Sequence, residues 1–279
     1  MKTLNYILFI CVCISFASCS SEPEEPYVDP NPYIYGEIRP QRLALMGMPR
    51  PADSYNFQLY SNMPEWAELK SSAEMVAVFQ VPEHILKRMS TQAVIQAIWE
   101  KWDVGMLFTV SSNDMYQALI EGRIRTYRDY EELTKRKDAG KALLQRLTVV
   151  NPLTGVPHHE SQELELLLSR PAILSQLDKS EKRKTVEITL AHEEIRYPTP
   201  SANMYQLTRA AAMILMGKTM ISAGYGPFIE AYKENEELKY FIDNINRFDP
   251  TKNGYIYHPY YYGNIPELII DYAKNYIND

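Results

Sequence analysis

Histidines beside carboxylates are the residues of this chain most suited to binding a metal, and two stretches contain more than one such ligand type in a motif-like order. His192-Glu193-Glu194 begins like a zinc-protease helix, but Arg196 stands where the second histidine is required. His158-His159-Glu160 lies in a predicted loop, and no spacing in the chain assembles the three protein ligands of a catalytic zinc. We therefore predict surface histidines next to glutamates, with no metal, no cofactor and no catalytic residue.

Two other motifs contain residues found in nucleotide or calcium sites, but the residues around them do not fit such sites. Gly217-Lys218-Thr219 ends a loosened phosphate-loop pattern that starts at Ala212, but Met-Ile-Leu-Met at the end of a predicted helix replaces the glycine-rich turn. The stretch from Asp249 to Gly254 resembles a calcium loop, yet Tyr260 takes the place of the closing glutamate. The sequence thus argues against nucleotide and calcium sites, and it contains no Gly-x-Ser-x-Gly elbow.

The most unusual stretch is rich in tyrosine and lies near the C-terminus. Tyrosine combines a rigid apolar face with a hydroxyl group, which suits the recognition of proteins and sugar rings. One interpretation is a ligand face, and the other is a long loop that its tyrosines pin to the helices beneath it. The candidate residues are Tyr255, Tyr257, His258, Tyr260, Tyr261 and Tyr262.

Cys19 is a further residue whose side chain could undergo specific chemistry. This is indicated by the residues that precede it. Lys2 is followed by a short apolar run, which suits a signal peptide and is too short to span a bilayer. Ala17 and Ser18 stand immediately before the cysteine. This end resembles the lipobox of bacterial lipoproteins, in which the cysteine sulfur is acylated and becomes the new N-terminus. Phe16 departs from the leucine usual in that family, and secretory cleavage after Ala17 is the alternative.

Lipidation of Cys19 would leave no reactive thiol, because the other two cysteines lie in the removed segment. The acidic, proline-rich residues that follow resemble the surface-export signal of lipoproteins in Bacteroidetes-type bacteria. A solvated acidic linker would have the same composition. The resemblance extends to uncharacterised helical lipoproteins of these bacteria through the helix junctions at 89–91 and 135–139. It implies anchoring to the outer membrane, on the periplasmic or the cell-surface side.

Charge limits the partners of the chain. The formal net charge is −6, which argues against nucleic acid and anionic lipid headgroups. The basic clusters Lys135-Arg136-Lys137 and Lys182-Arg183-Lys184 have acidic neighbours in predicted helices, so we interpret them as solvated faces. The predicted partners are the membrane, through the N-terminal lipid, and a protein or glycan.

The apolar pattern predicts an all-α fold. Residues 1–18 are a signal peptide, 19–63 an extended tether whose later part (54–60) lies against the body, 64–247 a helical domain, and 248–279 the tyrosine-rich loop with a C-terminal helix. Predicted helix caps are Ser71 or Ser72, Ser90, Ser180, and a capping box of Asn264 with Glu267.

A weak repeat runs through the helical region. A short helix, a polar cap and a longer helix recur from about residues 82, 127, 171 and 227, and Lys87-Arg88-Met89-Ser90 is echoed by Lys135-Arg136-Lys137-Asp138. The spacing is close to that of HEAT and armadillo arrays. The alternatives are a short α-superhelix of that kind and an irregular helical domain.

Three functions are compatible with the sequence. The leading one is a lipid-anchored, non-enzymatic interaction or binding module. The second is a surface glycan-binding accessory protein that uses the tyrosine segment, and the third is a hydrolase whose carboxylates converge only in the fold.

Overall fold

The structure, a computed structural model, describes residues 25–34, 47–101, 126–153, 159–197, 206–244 and 264–279. All regular secondary structure in these ranges is helical, which confirms the all-α prediction. Cys19 and the candidate residues Tyr255, Tyr257, His258, Tyr260, Tyr261 and Tyr262 lie outside the described residues.

A 3-10 helix (Pro64–Glu68) precedes the α-helices. These are α1 (Ser72–Val78), α2 (Glu83–Leu86), α3 (Thr91–Glu100), α4 (Arg128–Lys135), α5 (Ala139–Val149), α6 (His159–Leu168), α7 (Pro171–Leu174), α8 (Lys179–Arg196), α9 (Gln206–Ser222), α10 (Gly226–Glu234), α11 (Glu236–Asn244) and α12 (Ile265–Asn278).

Side-chain caps set several of these boundaries. The Ser71 hydroxyl accepts a hydrogen bond from the Glu74 N–H, and the Ser90 hydroxyl accepts one from Ala93, as predicted. Ser180 is not the cap of α8, because Asp178 forms a reciprocal capping box there.

The capping box predicted for α12 is wrong. The side chain of Asn264 makes no capping hydrogen bond, and the Glu267 carboxylate instead accepts one from Arg209 at 3.3 Å. A tertiary partner has therefore replaced the local one.

The predicted succession of a short and a longer helix is present in three units, α2 with α3, α4 with α5, and α7 with α8. In the last unit α10 and α11 are equally long, with 9 residues each. In the described ranges a third helix follows the pair in the later units: α6, α9 and α12.

In the earlier units equivalent helices pack against one another: α2 on α4 and α4 on α7, and α3 on α5 and α5 on α8. The third helices α6, α9 and α12 do the same. This stacking fits the short α-superhelix alternative, whereas the contact of α8 with α12, which is not its equivalent, departs from a regular array.

Polar contacts join the units at their helix junctions. The Arg136 guanidinium donates to the carbonyl oxygens of Leu86 (2.7 Å) and Met89 (2.5 Å) at the end of α2. The Thr91 hydroxyl donates to Asp138 at 2.6 Å. Arg136 is therefore half-buried and caps the preceding unit, which corrects its interpretation as part of a solvated face. Lys135, in contrast, is exposed and pairs with Glu131, as predicted.

Most of the described apolar side chains form two cores. The first core contains α2 to α7, together with Tyr27, Phe57 and Tyr60 from the segment predicted as a tether. The predicted contact of residues 54–60 with the body is confirmed, but residues 25–34 are packed on the domain as well. The aromatic side chains of this segment complete the first core, so its described parts are not a free tether.

The second core surrounds α9. Residues 210–216 of this helix are almost fully buried, which agrees with their apolar character on every side. The helix contacts α6, α8, α10, α11 and α12. It also contains Gly217 and Lys218, so the loosened phosphate-loop pattern is helical rather than a turn.

A Cβ atom at Gly217 would lie 2.3 Å from the Cδ1 atom of Ile242, so this glycine allows close packing of α9 against α11. In the described ranges, no helix combines the length and the apolar character needed to cross a bilayer.

Candidate functional site

An open pocket lies where the first turn of α8, the turn between α9 and α10, and the end of α12 meet. Its volume is about 430 Å³. We call it the tyrosine pocket, and its lining residues are Lys179, Ser180, Arg183, Ala223, Gly224, Tyr225, Gly226, Tyr276 and Asp279.

The turn on one side of the tyrosine pocket has a clear local cause. Gly224 adopts a φ of +75° at the end of α9, a left-handed conformation that glycine adopts without strain. The N–H of Tyr225 then donates to the Met220 carbonyl at 3.0 Å, closing a Schellman-type turn. Pro227 follows in the first turn of α10, where its missing N–H costs nothing. The side chain of Tyr225 is thereby fixed at the mouth of the pocket.

The N-terminal turn of α8 is attached to the two other helix ends by basic side chains. The Lys182 ammonium donates to the Ser222 carbonyl at the end of α9, at 3.1 Å. The Arg183 guanidinium donates to the Ile277 carbonyl in the last turn of α12. Cations stabilise helix C-termini, where carbonyl groups lack intrahelical partners. The interpretation of this cluster as a solvated face therefore holds for Lys184, which is exposed and pairs with Glu187, but is incomplete for the other two.

Two tyrosine rings form the aromatic part of the pocket. The ring centroids of Tyr225 and Tyr276 are 5.2 Å apart, with 59° between the ring planes. Burial and then the neighbouring Asp279 carboxylate raise the pKa of Tyr225, and burial raises the pKa of Tyr276. Both phenols therefore keep their protons at neutral pH. The Tyr225 hydroxyl donates to Asp279, and Tyr276 is only 7% exposed, so the half-buried ring of Tyr225 is the main aromatic surface that the pocket offers to a ligand.

Charges of both signs line the pocket. Lys179 and Arg183 lie on the α8 side, where the helix N-terminus also favours anions. Asp279 lies on the α12 side and hydrogen bonds to Tyr225. The pocket therefore offers an anion-binding side, an acceptor for hydroxyl or ammonium groups, and an aromatic surface between them.

A second group of charged residues lies near the end of α8, and all of its members except Glu267 are largely buried. Arg196 of α8 forms a fully buried ion pair with Glu165 of α6. Glu193 of α8 pairs with Arg209 of α9, which also reaches Glu267 of α12 at 3.3 Å. We call these five residues the charged cluster.

The location of the charged cluster corrects a prediction. His192 and Glu193 are buried, 6% and 2% exposed, so they are not the surface pair that the sequence suggested. Burial raises the pKa of Glu193 to about 7, although Arg209 favours the charged form. Burial, and then Arg196, lowers the pKa of His192 to about 4. Packing between successive units has enclosed a helix face that looks polar in the sequence.

The charged cluster has the features of a structural link. Its ion pairs join α6 to α8, α8 to α9, and α9 to α12. The first and the last of these pairs connect successive units. Glu165 and Glu193 each contact an arginine. Among the described residues, no group of three or more histidine, cysteine, aspartate or glutamate side chains has a geometry that could hold a metal.

The tyrosine pocket was not predicted from the sequence. The glycines and proline of Gly224-Tyr225-Gly226-Pro227 are typical of a helix break, and Lys182-Arg183-Lys184 is a basic run, but neither pattern indicates a pocket. The lining residues span positions 179 to 279, so only the packing of helix ends brings them together.

A comparison with models of known protein families, with curated proteins and with solved structures found no match to this chain.

Proposed function

We propose that this protein is a lipid-anchored envelope lipoprotein whose helical body is a non-enzymatic binding module. The tyrosine pocket is the observation that carries the binding function. Its volume of about 430 Å³ lies in the range of small-molecule sites. It also combines aromatic surface with a few converging polar groups, which is the usual composition of such sites.

The anchor is the second part of this proposal. A short apolar run, small residues and Cys19 support acylation of that cysteine, and the acidic residues that follow support export to the outer membrane. The alternative of secretory cleavage after Ala17 would give the same folded body without the lipid.

The proposed ligand is a sugar-sized polar ring with an acidic group. Tyr225, supported from behind by Tyr276, supplies the ring-stacking surface, Lys179 and Arg183 suit the acidic group, and Asp279 accepts hydrogen bonds from hydroxyl groups. Such a ligand is compatible with the glycan-binding alternative. The glycan would then bind in the tyrosine pocket and not at the tyrosine-rich segment near the C-terminus. The hydrolase has less support, because Glu165 and Glu193 are buried against arginines.

A thermal-shift screen tests the binding function on protein that begins at residue 20 and so lacks the lipid. A ligand that binds only the folded state stabilises it, so it raises the midpoint of unfolding. We expect uronic acids to raise it more than the matching neutral sugars or free amino acids do. A screen in which no sugar and no acid changes the midpoint would contradict a ligand site in this pocket.

A pair of lysine variants of α8 then locates the site. We expect Lys179→Ala to weaken uronate binding about tenfold, since a charged hydrogen bond contributes about 1.5–3 kcal/mol. Lys184→Ala is the matched control, because Lys184 is exposed on the same helix and does not line the pocket. Equal affinities of the two variants in a calorimetric titration would place the ligand elsewhere.

A further inference from the structure

The chain is attached to the first core from Glu25 onward. The Arg88 guanidinium donates to the Glu25 carbonyl at 2.9 Å, and Tyr27 is 6% exposed within the core. The Asp29 carboxylate accepts from the Asn56 N–H at 2.7 Å, and the Asn56 amide donates to the Asn31 carbonyl at 2.6 Å. These contacts fix residues 25–31 to the body of the protein.

This attachment shortens the connection between the body and the proposed anchor. Only residues 20–24 lie between Cys19 and Glu25. A fully extended chain of this length spans at most about 20 Å. A compact domain of this size has a diameter of about 45 Å, so such a connection cannot reach around it. If Cys19 carries a lipid, the side of the domain that holds Glu25 must lie close to the bilayer.

The surface around Glu25 suits contact with a bilayer. Val28 is 76% exposed, the most exposed of the large apolar side chains in the described residues. Pro26 beside it is exposed, and so are Lys87 and Arg88 at the end of α2. An exposed apolar side chain such as Val28 can enter the headgroup region. Lys87, which pairs with Glu83, and Arg88, which donates to the Glu25 carbonyl, place their charges at the end of α2 near Glu25.

We propose that this surface, formed by Glu25, Pro26, Val28, Lys87 and Arg88, rests on the phospholipid headgroups of the membrane in which Cys19 is anchored. We call it the membrane-side face. The inference depends on the proposed lipidation of Cys19. The tyrosine pocket belongs to helices of the second core, so the membrane-side face and the pocket lie on different cores.

Quenching by lipids tests the orientation directly on the full-length, lipidated protein. The acylated mature chain has no other cysteine, so a single introduced cysteine can carry a fluorophore. Val28→Cys places the label on the membrane-side face, and Lys239→Cys, at an exposed position of α11, is the matched control. Each protein is incorporated into vesicles of phosphatidylethanolamine and phosphatidylglycerol that contain lipids with a nitroxide on the headgroup.

We expect the label at Val28 to be quenched at least about twofold more than the label at Lys239, because the connection holds that side within about 20 Å of the lipid. A label at Lys87→Cys repeats the measurement on a second position of the same face. Equal quenching at all three positions, in protein that floats with the vesicles, would overturn the membrane-side face. Protein that does not float with vesicles would overturn the proposed anchor, which is a separate failure.

Discussion

Glu193 and His192 are neighbours on α8 whose burial gives opposite dependences of stability on pH. Burial raises the pKa of Glu193 from 4.5 to about 7, so its stabilising contribution is complete below pH 4.5 and is lost as the pH rises through 7. Burial lowers the pKa of His192 from 6.5 to about 4, so stability is lost as the pH falls from 6.5 toward 4. Between pH 4.5 and 6.5 the two effects oppose each other and nearly cancel. The free energy of unfolding should therefore be greatest in this mildly acidic range and fall on either side of it.

The substitution Glu193→Gln separates the two contributions. The amide resembles the protonated carboxyl group, so we expect the variant and the parent to unfold with similar free energies at pH 5. At pH 8 the variant should be more stable by about 1–3 kcal/mol, since each unit of pKa shift corresponds to about 1.4 kcal/mol. Urea unfolding followed by circular dichroism at both pH values measures this difference.

Glu194→Gln is the control, because Glu194 is exposed on the same helix and should show no such change. A Glu193→Gln protein that is less stable than the parent at pH 8 would show that the ionised pair with Arg209 is net stabilising.

At the scale of elements, helices of neighbouring units are held together by close backbone packing as well as by side-chain contacts. Gly140 lies at the start of α5, where its N–H donates to the Gln176 side chain at 2.9 Å. A Cβ atom at this position would lie 2.9 Å from the Ile173 carbonyl oxygen and 3.0 Å from Leu177. The obstacle includes backbone of α7, which cannot rotate away as a side chain can.

We expect Gly140→Ala to destabilise the protein by about 1–3 kcal/mol, the usual cost of overpacking, even though alanine favours a helix by up to about 1 kcal/mol. Gly226→Ala is the matched control, since nothing lies within 4 Å of its added Cβ atom. Thermal and urea unfolding of the two variants give the comparison. Equal stabilities would mean that α5 and α7 are not packed as closely as the structure shows.

Local sequence patterns predicted the elements better than the contacts between them. The helical repeat and the buried residues 210–216 follow from apolar periodicity, which each segment carries by itself. Ser90 was a correct cap, whereas Ser180 was not, because Asp178 nearby is the stronger competitor. Periodicity could not predict the burial of Glu193 or the capping role of Arg136, since both depend on a neighbouring unit.

In its described residues the molecule is a helical domain, and residues 25–34 and 47–60 pack on its first core. The composition of residues 19–63 suggested a tether, because prolines and carboxylates are typical of solvated linkers. The aromatic residues Tyr27, Phe57 and Tyr60 bury a substantial apolar surface instead, which outweighs that preference. The tyrosine pocket could not be foreseen, because three helix ends form it at distant positions in the sequence.

Attachment of the helical body to a membrane through Cys19 is the property on which the proposed location and the membrane-side face both depend. Mass spectrometry of the N-terminal peptide from the mature, native protein tests it most directly. We expect a peptide that begins at Cys19 and carries the added mass of a diacylglyceryl group and an N-acyl chain. An unmodified peptide that begins at Ser18 would contradict the anchor and, with it, the membrane-side face.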